Sequence, residues 1–91
     1  MTNQPTFECY TDHSSKNYGL NSLCFFDSAG RCYWFSYQTL IAFTDGNGNR
    51  YVHANDWGPT TGKHLNAIDG GNKSGRLPSA QFAEAYARVH A

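Results

Sequence analysis

Charge is what this sequence has least of. Only 15% of its residues are charged, and seven basic side chains are cancelled by seven acidic ones. A formal net charge of zero supplies no long-range field to gather nucleic acid and no acidic surface to mimic it, so either activity needs a local patch. Cysteine is scarce and odd in number: Cys9, Cys24 and Cys32 have no regular spacing, which argues against a disulfide scaffold and for a reducing compartment. No apolar run is long enough to span a membrane, and the opening Met1-Thr2-Asn3-Gln4-Pro5 is polar. The expectation is therefore a protein of the cytoplasm, with neither a membrane anchor nor a secretory leader. With 91 residues the chain is expected to form one domain over 1–91, residues 1–6 being a loose tail. Such a domain buries roughly 60–65% of the surface its unfolded chain exposes and has no second lobe for a multi-part active site.

Aromatic side chains are what it has in plenty. Six Tyr, six Phe and two Trp are concentrated between residues 18 and 57, the composition of a sheet with rings on both faces. Phe7–Thr11 has the pattern of a short edge strand, Asp12–Gly19 that of a polar loop, and the apolar run Leu20–Phe26 holds the next strand. Asp27-Ser28-Ala29-Gly30-Arg31 is a hairpin signal, a three-residue loop with Gly30 at the left-handed position. A strand over Arg31–Tyr37 then sets Cys24 opposite Trp34 and Phe26 opposite Cys32. The two cysteines become diagonal neighbours roughly 7–8 Å apart, too far for an unstrained disulfide, and read as small core residues. Leu23, Phe25, Tyr33, Phe35 and Tyr37 fall on the other face, and the pattern leaves open which face is buried.

A bend at Ser36–Thr39 leads to a strand over Leu40–Thr44. Asp45-Gly46-Asn47-Gly48-Asn49 is the strongest turn signal in the chain, and Arg50–Ala54 is its partner strand. Gly58 and Pro59 stop that strand, and Thr60 or Thr61 can cap a helix running to about Ile68, with Thr61, His64, Leu65 and Ile68 on one stripe. Asp69–Gly75 reads as a flexible connector. Pro78 or Ser79 opens a last helix with Phe82, Ala85, Tyr86 and Val89 on its packed face and Glu84–Arg88 as a solvent pair. The fold class expected is α+β: an antiparallel meander of about four strands, a short helix after Trp57 and a C-terminal helix packed on one sheet face.

The stretch Trp57-Gly58-Pro59-Thr60-Thr61-Gly62-Lys63-His64-Leu65-Asn66 gathers an aromatic, two hydroxyls, a cation and an imidazole with no apolar run to explain them. It is not a nucleotide-binding phosphate loop, which needs four residues between its glycines and a Ser or Thr after the lysine; here there are three, and His64 follows Lys63. A simple anion held by the helix N-terminus, a threonine hydroxyl and Lys63 is the weaker form of that idea, against the plainer reading of an ordinary capped helix. Cys9, His13, Cys24 and Cys32 sketch a zinc set, but their spacing matches no close-paired knuckle. Cys32, His53, His64 and Asp56 offer the parts of a nucleophile and base without any motif that unites them.

Two patterns, Ser36-Tyr37-x-Thr39-x-Ile41-Ala42-Phe43 and Trp57-x-x-Thr60-Thr61-x-Lys63-His64, resemble a group of short phage-encoded proteins of unassigned function. Gly58-Pro59 stands where that pattern has a serine and a variable residue. The resemblance implies a viral accessory protein at work in bacterial cytoplasm, and it carries no activity, cofactor or catalytic residue. The candidate binding residues are Trp57, Thr60, Thr61, Lys63, His64 and Asn66, with Tyr33 and Tyr37 from the strands; no catalytic residue, metal or cofactor is assigned. The function expected is stoichiometric binding to a host or phage macromolecule, a protein before a nucleic acid, for example inhibition of a bacterial defence enzyme such as a CRISPR effector (an anti-CRISPR role), rather than enzymatic turnover. The alternative is a small nucleic-acid or nucleotide-binding domain using residues 57–66 and the aromatic strands, and a homodimer through the same aromatics is a further partner choice.

Overall fold

A computed structural model describes residues 22–90 and, before them, the backbone of one strand at Thr6–Cys9. The N-terminal tail, the polar loop over Asp12–Gly19 and the side chains of Cys9 and His13 lie outside the described residues. The strands are β1 (Thr6–Cys9), β2 (Leu23–Phe26), β3 (Cys32–Ser36), β4 (Thr39–Thr44) and β5 (Arg50–Val52), and the helices are α1 (Pro59–Asp69) and α2 (Ser79–Val89). All neighbouring strands are antiparallel and follow chain order. The fold is α+β: the expected meander is present as β2 to β5, and β1 extends it at the edge.

Turn chemistry sets the register. Asp27 and Gly30 close the β2–β3 hairpin with Gly30 at φ 84°, and this pairs Cys24 with Trp34 and Phe26 with Cys32, as their spacing predicts. Both cysteines are buried. The Asp45–Asn49 turn closes β4 on β5 in the same way, with Gly48 at φ 85°.

Both faces of the sheet are covered, one helix to each. Trp34, Ala42 and Val52 stand opposite one another on adjacent strands and pack with Leu65 and Ile68 of α1. Their chain neighbours Tyr33, Phe43 and Tyr51 point the other way and pack with Phe82 and Ala85 of α2. Strand alternation alone would send Ile41 to the α2 side. Instead the β3–β4 register skips it, Trp34 facing Ala42 and Phe35 facing Leu40. This bulge lets Ile41 and Ala42 both join the α1 core, while Leu40 and Phe43 join the α2 core. Phe43, fully buried, stacks on Tyr51 at 5.0 Å and meets Phe82 and Tyr86 edge-on, both at 5.2 Å.

The segment after α1 is not the loose connector its glycines suggest. Gly70 caps α1 in the left-handed conformation, and Lys73–Gly75 form a 3-10 turn. Leu77 then pairs in parallel with His53, its N–H donating to the Val52 carbonyl and its own carbonyl accepting from Ala54. Arg76 grips Asp69 with two hydrogen bonds, of 2.8 Å and 3.0 Å. Those side chains are 5% and 7% exposed, so the pair is shielded from water and fixes the loop. On α2, Phe82 and Ala85 are buried, Val89 is half-buried and Tyr86 stays 38% exposed. Glu84 and Arg88 make no ion pair; among the described residues only Arg31–Asp27 and Arg76–Asp69 do.

Candidate functional site

The β3–β4 turn and the start of α1 meet at one end of the sheet. Ser36 pairs with Thr39, leaving Tyr37 and Gln38 as the loop. Two-residue hairpin loops need positive φ and usually take Gly or Asn there. Here Tyr37 fills that position at φ 57°, and it is the one non-glycine residue with positive φ among the described residues. The tyrosine is 51% exposed.

The entry to α1 is not capped by a threonine. Gly58 is the cap residue and no side chain caps it. Asn55 braces the approach instead: its Oδ1 accepts from the N–H groups of Trp57 at 3.0 Å and Gly58 at 3.3 Å, and its Nδ2 donates to the Gly58 carbonyl at 3.0 Å. Gly62 allows this, because a Cβ there would lie 3.0 Å from Asn55 Nδ2. Thr61 turns inward. Its hydroxyl lies 2.9 Å from Ser36 Oγ, which in turn lies 2.7 Å from His64 Nδ1. All three side chains are buried, His64 completely. The stripe of Thr61, His64, Leu65 and Ile68 is the buried face of α1, as its spacing predicts. Ser36 lies on the same sheet face as Trp34, so strand alternation delivers its hydroxyl to that stripe.

Above this polar joint opens a cleft of about 310 Å³, lined by Ser36, Tyr37, Thr39, Trp57, Gly58, Pro59, Thr60 and Thr61. Trp57 is 45% exposed and packs against the His53 ring at 4.7 Å. His53 is held in turn, with Nδ1 donating to the Ala54 carbonyl at 2.6 Å and its ring 4.8 Å from Phe82. The tryptophan is thus pinned on one side and open on the other. Among the described residues no charged side chain lines the cleft; it offers aromatic surface and hydroxyls.

Of the candidate residues, Tyr37, Trp57, Thr60 and Thr61 line this cleft and His64 lies beneath it. Lys63 and Asn66 do not: they line a second groove, of about 490 Å³, together with Ala54, Asn55, Pro59, Gly62, Lys73 and Arg76. An anion held jointly by the threonines and Lys63 is therefore not what the geometry assembles. Tyr33 is remote from both grooves, half-buried under α2, with its hydroxyl 3.2 Å from Asp27 Oδ2 and 2.7 Å from His90 Nε2. Ser36, Thr39 and Asn55 are site residues that the spacing of the helix alone does not point to. Ser36 and Thr39 sit in the first of the two sequence patterns and Trp57, Thr60, Thr61 and His64 in the second, so the fold brings the two patterns together.

The model of a family of unknown function (DUF8033) matches residues 3–84. The chain belongs to that family. The match takes in the sheet, α1, both grooves and most of α2. No curated protein and no solved structure matches the chain.

Ser36 and His64 have the separation of a nucleophile and its base. Attack on a substrate, however, needs the hydroxyl to reach one, and Ser36 is 2% exposed and already bonded to Thr61. In this conformation the trio joins β3 to α1. Among the described residues, no group of three or more His, Cys, Asp or Glu side chains could hold a metal ion. No helix among the described residues is long and apolar enough to cross a membrane.

Proposed function

We propose that the protein acts by binding a larger partner, one to one, through the cleft between Tyr37 and Trp57, rather than by turning over a small molecule. A single observation carries this reading. The two most exposed large aromatic side chains among the described residues come from separate parts of the chain and border the same cleft. Tyr and Trp are the residue types that dominate interface hot spots, because a rigid ring buries much area at little entropic cost. The backbone supports it as well: a left-handed tyrosine costs about 1–3 kcal/mol, strain of the kind found where function requires it.

The finer part of the proposal is that the partner is a host or phage macromolecule in bacterial cytoplasm, specifically a bacterial defence enzyme such as a CRISPR effector, held inactive by the bound protein. What supports it is the resemblance to phage-encoded proteins, together with the small size and uncharged cleft. The test is a pull-down from bacterial lysate, with and without nuclease, comparing the wild type with a Tyr37→Ala/Trp57→Ala variant. One stoichiometric protein, retained after nuclease and weakened at least tenfold in the variant, is the expected result. Equal retention by both proteins removes the cleft from the proposal, and turnover of a small substrate abolished by Ser36→Ala removes the binding reading altogether.

A further inference from the structure

The second groove has a chemistry of its own, set by cations where the cleft is set by rings. Of the residues that line the cleft it shares Pro59 alone, and three of the chain's seven basic residues, Lys63, Lys73 and Arg76, line it while no carboxylate of a described residue does. In a chain of zero net charge that is a local excess. Arg76 is electrically matched, since its guanidinium is bidentate to Asp69. Lys63 and Lys73 are not matched: both are exposed, and no carboxylate of a described residue lies within ion-pair distance of either. Arg76 has a second role. Its Nη2 donates to Asn66 Oδ1 at 2.9 Å, which engages the acceptor end of that amide and leaves its NH₂ end as the donor. Lysine ammonium groups also donate only. The side chains facing the groove thus offer donors and positive charge, while the acceptor of Asn55 is engaged by the backbone of Trp57 and Gly58.

A ligand complementary to such a surface carries acceptors and negative charge, and the groove, at about 490 Å³, is much larger than one carboxylate needs. On the far side of Pro59 lie the exposed rings of Tyr37 and Trp57. Cations that take phosphate beside rings that take bases is the arrangement by which single strands are held. We propose that the Lys63–Lys73 groove binds the phosphate of a nucleotide, either free or within a single-stranded nucleic acid.

Fluorescence anisotropy with labelled oligothymidylate, competed by unlabelled AMP and by inorganic phosphate, tests this on the whole chain. Two lysine–phosphate contacts predict binding that weakens about 25-fold for a tenfold rise in salt. The Lys63→Gln/Lys73→Gln variant is expected to bind at least tenfold more weakly at low salt and to lose most of that salt dependence, with its urea unfolding curve unchanged. Competition by AMP points to a free nucleotide as the ligand; binding of the oligonucleotide without competition by AMP points to the strand. No binding of any of the three probes at low salt overturns the proposal, as does equal binding by the variant. So does a lysate protein lost on the lysine substitutions when all three probes fail, which would assign the groove to an acidic protein surface. Because the cleft substitutions leave both lysines in place, failure of the cleft proposal and failure of this one are separable.

Discussion

At one end of the sheet the β2–β3 and β4–β5 turns are built from the same parts. Asp27 and Asp45 open them, and each donates its backbone N–H to the carbonyl of the residue four positions on, at 2.9 Å. Each carboxylate accepts from the N–H groups two and four residues later. Each then takes a tyrosine hydroxyl on its second oxygen, Tyr33 at 3.2 Å and Tyr51 at 3.3 Å. Glycine occupies the left-handed position in both. At the opposite end, the β3–β4 turn puts a tyrosine where the other two put glycine, and no carboxylate of a described residue braces it. The first end satisfies local preferences at every step, and the second sets one aside beside an open cleft. That difference locates function better than any single residue type, since a chain keeps backbone strain only where the surroundings impose it.

The joint under the cleft is where the comparison breaks with the largest effect. His64→Ala removes a wholly buried ring between β3 and α1, and should cost about 3 kcal/mol in urea unfolding, the range for deleting a large buried side chain. Ser36→Ala keeps the packing but takes the hydrogen bond from His64 Nδ1 and from the Thr61 hydroxyl; about 1–2 kcal/mol is expected. If Ser36→Ala proves as damaging as His64→Ala, the trio is more than a packed cross-link.

The aspartate end should break more gently, and through pH. Burial pushes the Asp27 carboxyl up, but the N–H groups of Arg31 and Ala29, the Tyr33 hydroxyl and the Arg31 charge outweigh it and hold the group below its ordinary 3.8. Asp45 is held below the same value, first by the Asn49 amide and then by the N–H groups of its turn. Both carboxyls titrate lower in the folded chain than in the unfolded one. Their contribution is therefore complete above pH 3.8 and drains away as pH falls through the depressed folded values. An Asp27→Asn/Asp45→Asn variant should be less stable than the wild type at neutral pH and should converge on it under acid. The two single variants should lower the urea midpoint alike. Unequal midpoints would show that the two turns are alike only in drawing.

This end of the molecule is the one that the sequence makes readable. Asp, Gly and the hairpin spacing are local signals, and they place Cys24 opposite Trp34 without any knowledge of the rest of the chain. The α1 stripe is readable for the same reason, a period within eight residues. Three features were hidden because they depend on distant partners. Skipping Ile41 breaks the two-residue period, and only the arrival of α1 on that face shows why. Leu77 pairs with a strand whose end lies far back in the chain, so its glycine-rich approach looks loose. Ser36 looks like one more polar residue before a bend until α1 brings Thr61 and His64 to it. Both faces of β3 and β4 carry apolar side chains, and the structure explains this by giving each face its own helix.

Tyr37→Gly should have the smallest effect on stability, and it bears most directly on the contrast between the two ends. Glycine accepts φ 57° without a Cβ clash, so relief of strain favours the variant; the extra freedom of an unfolded glycine opposes it. The net expected is a gain of about 0.5–1 kcal/mol, read as a rise in the urea midpoint. Partner binding at the cleft should fall in the same variant, because half of the exposed aromatic rim is gone. A protein made more stable and less able to bind by one substitution has been trading stability for a presented ring. If stability falls instead, the tyrosine is held by contacts that favour the fold, and the β3–β4 turn belongs with the other two.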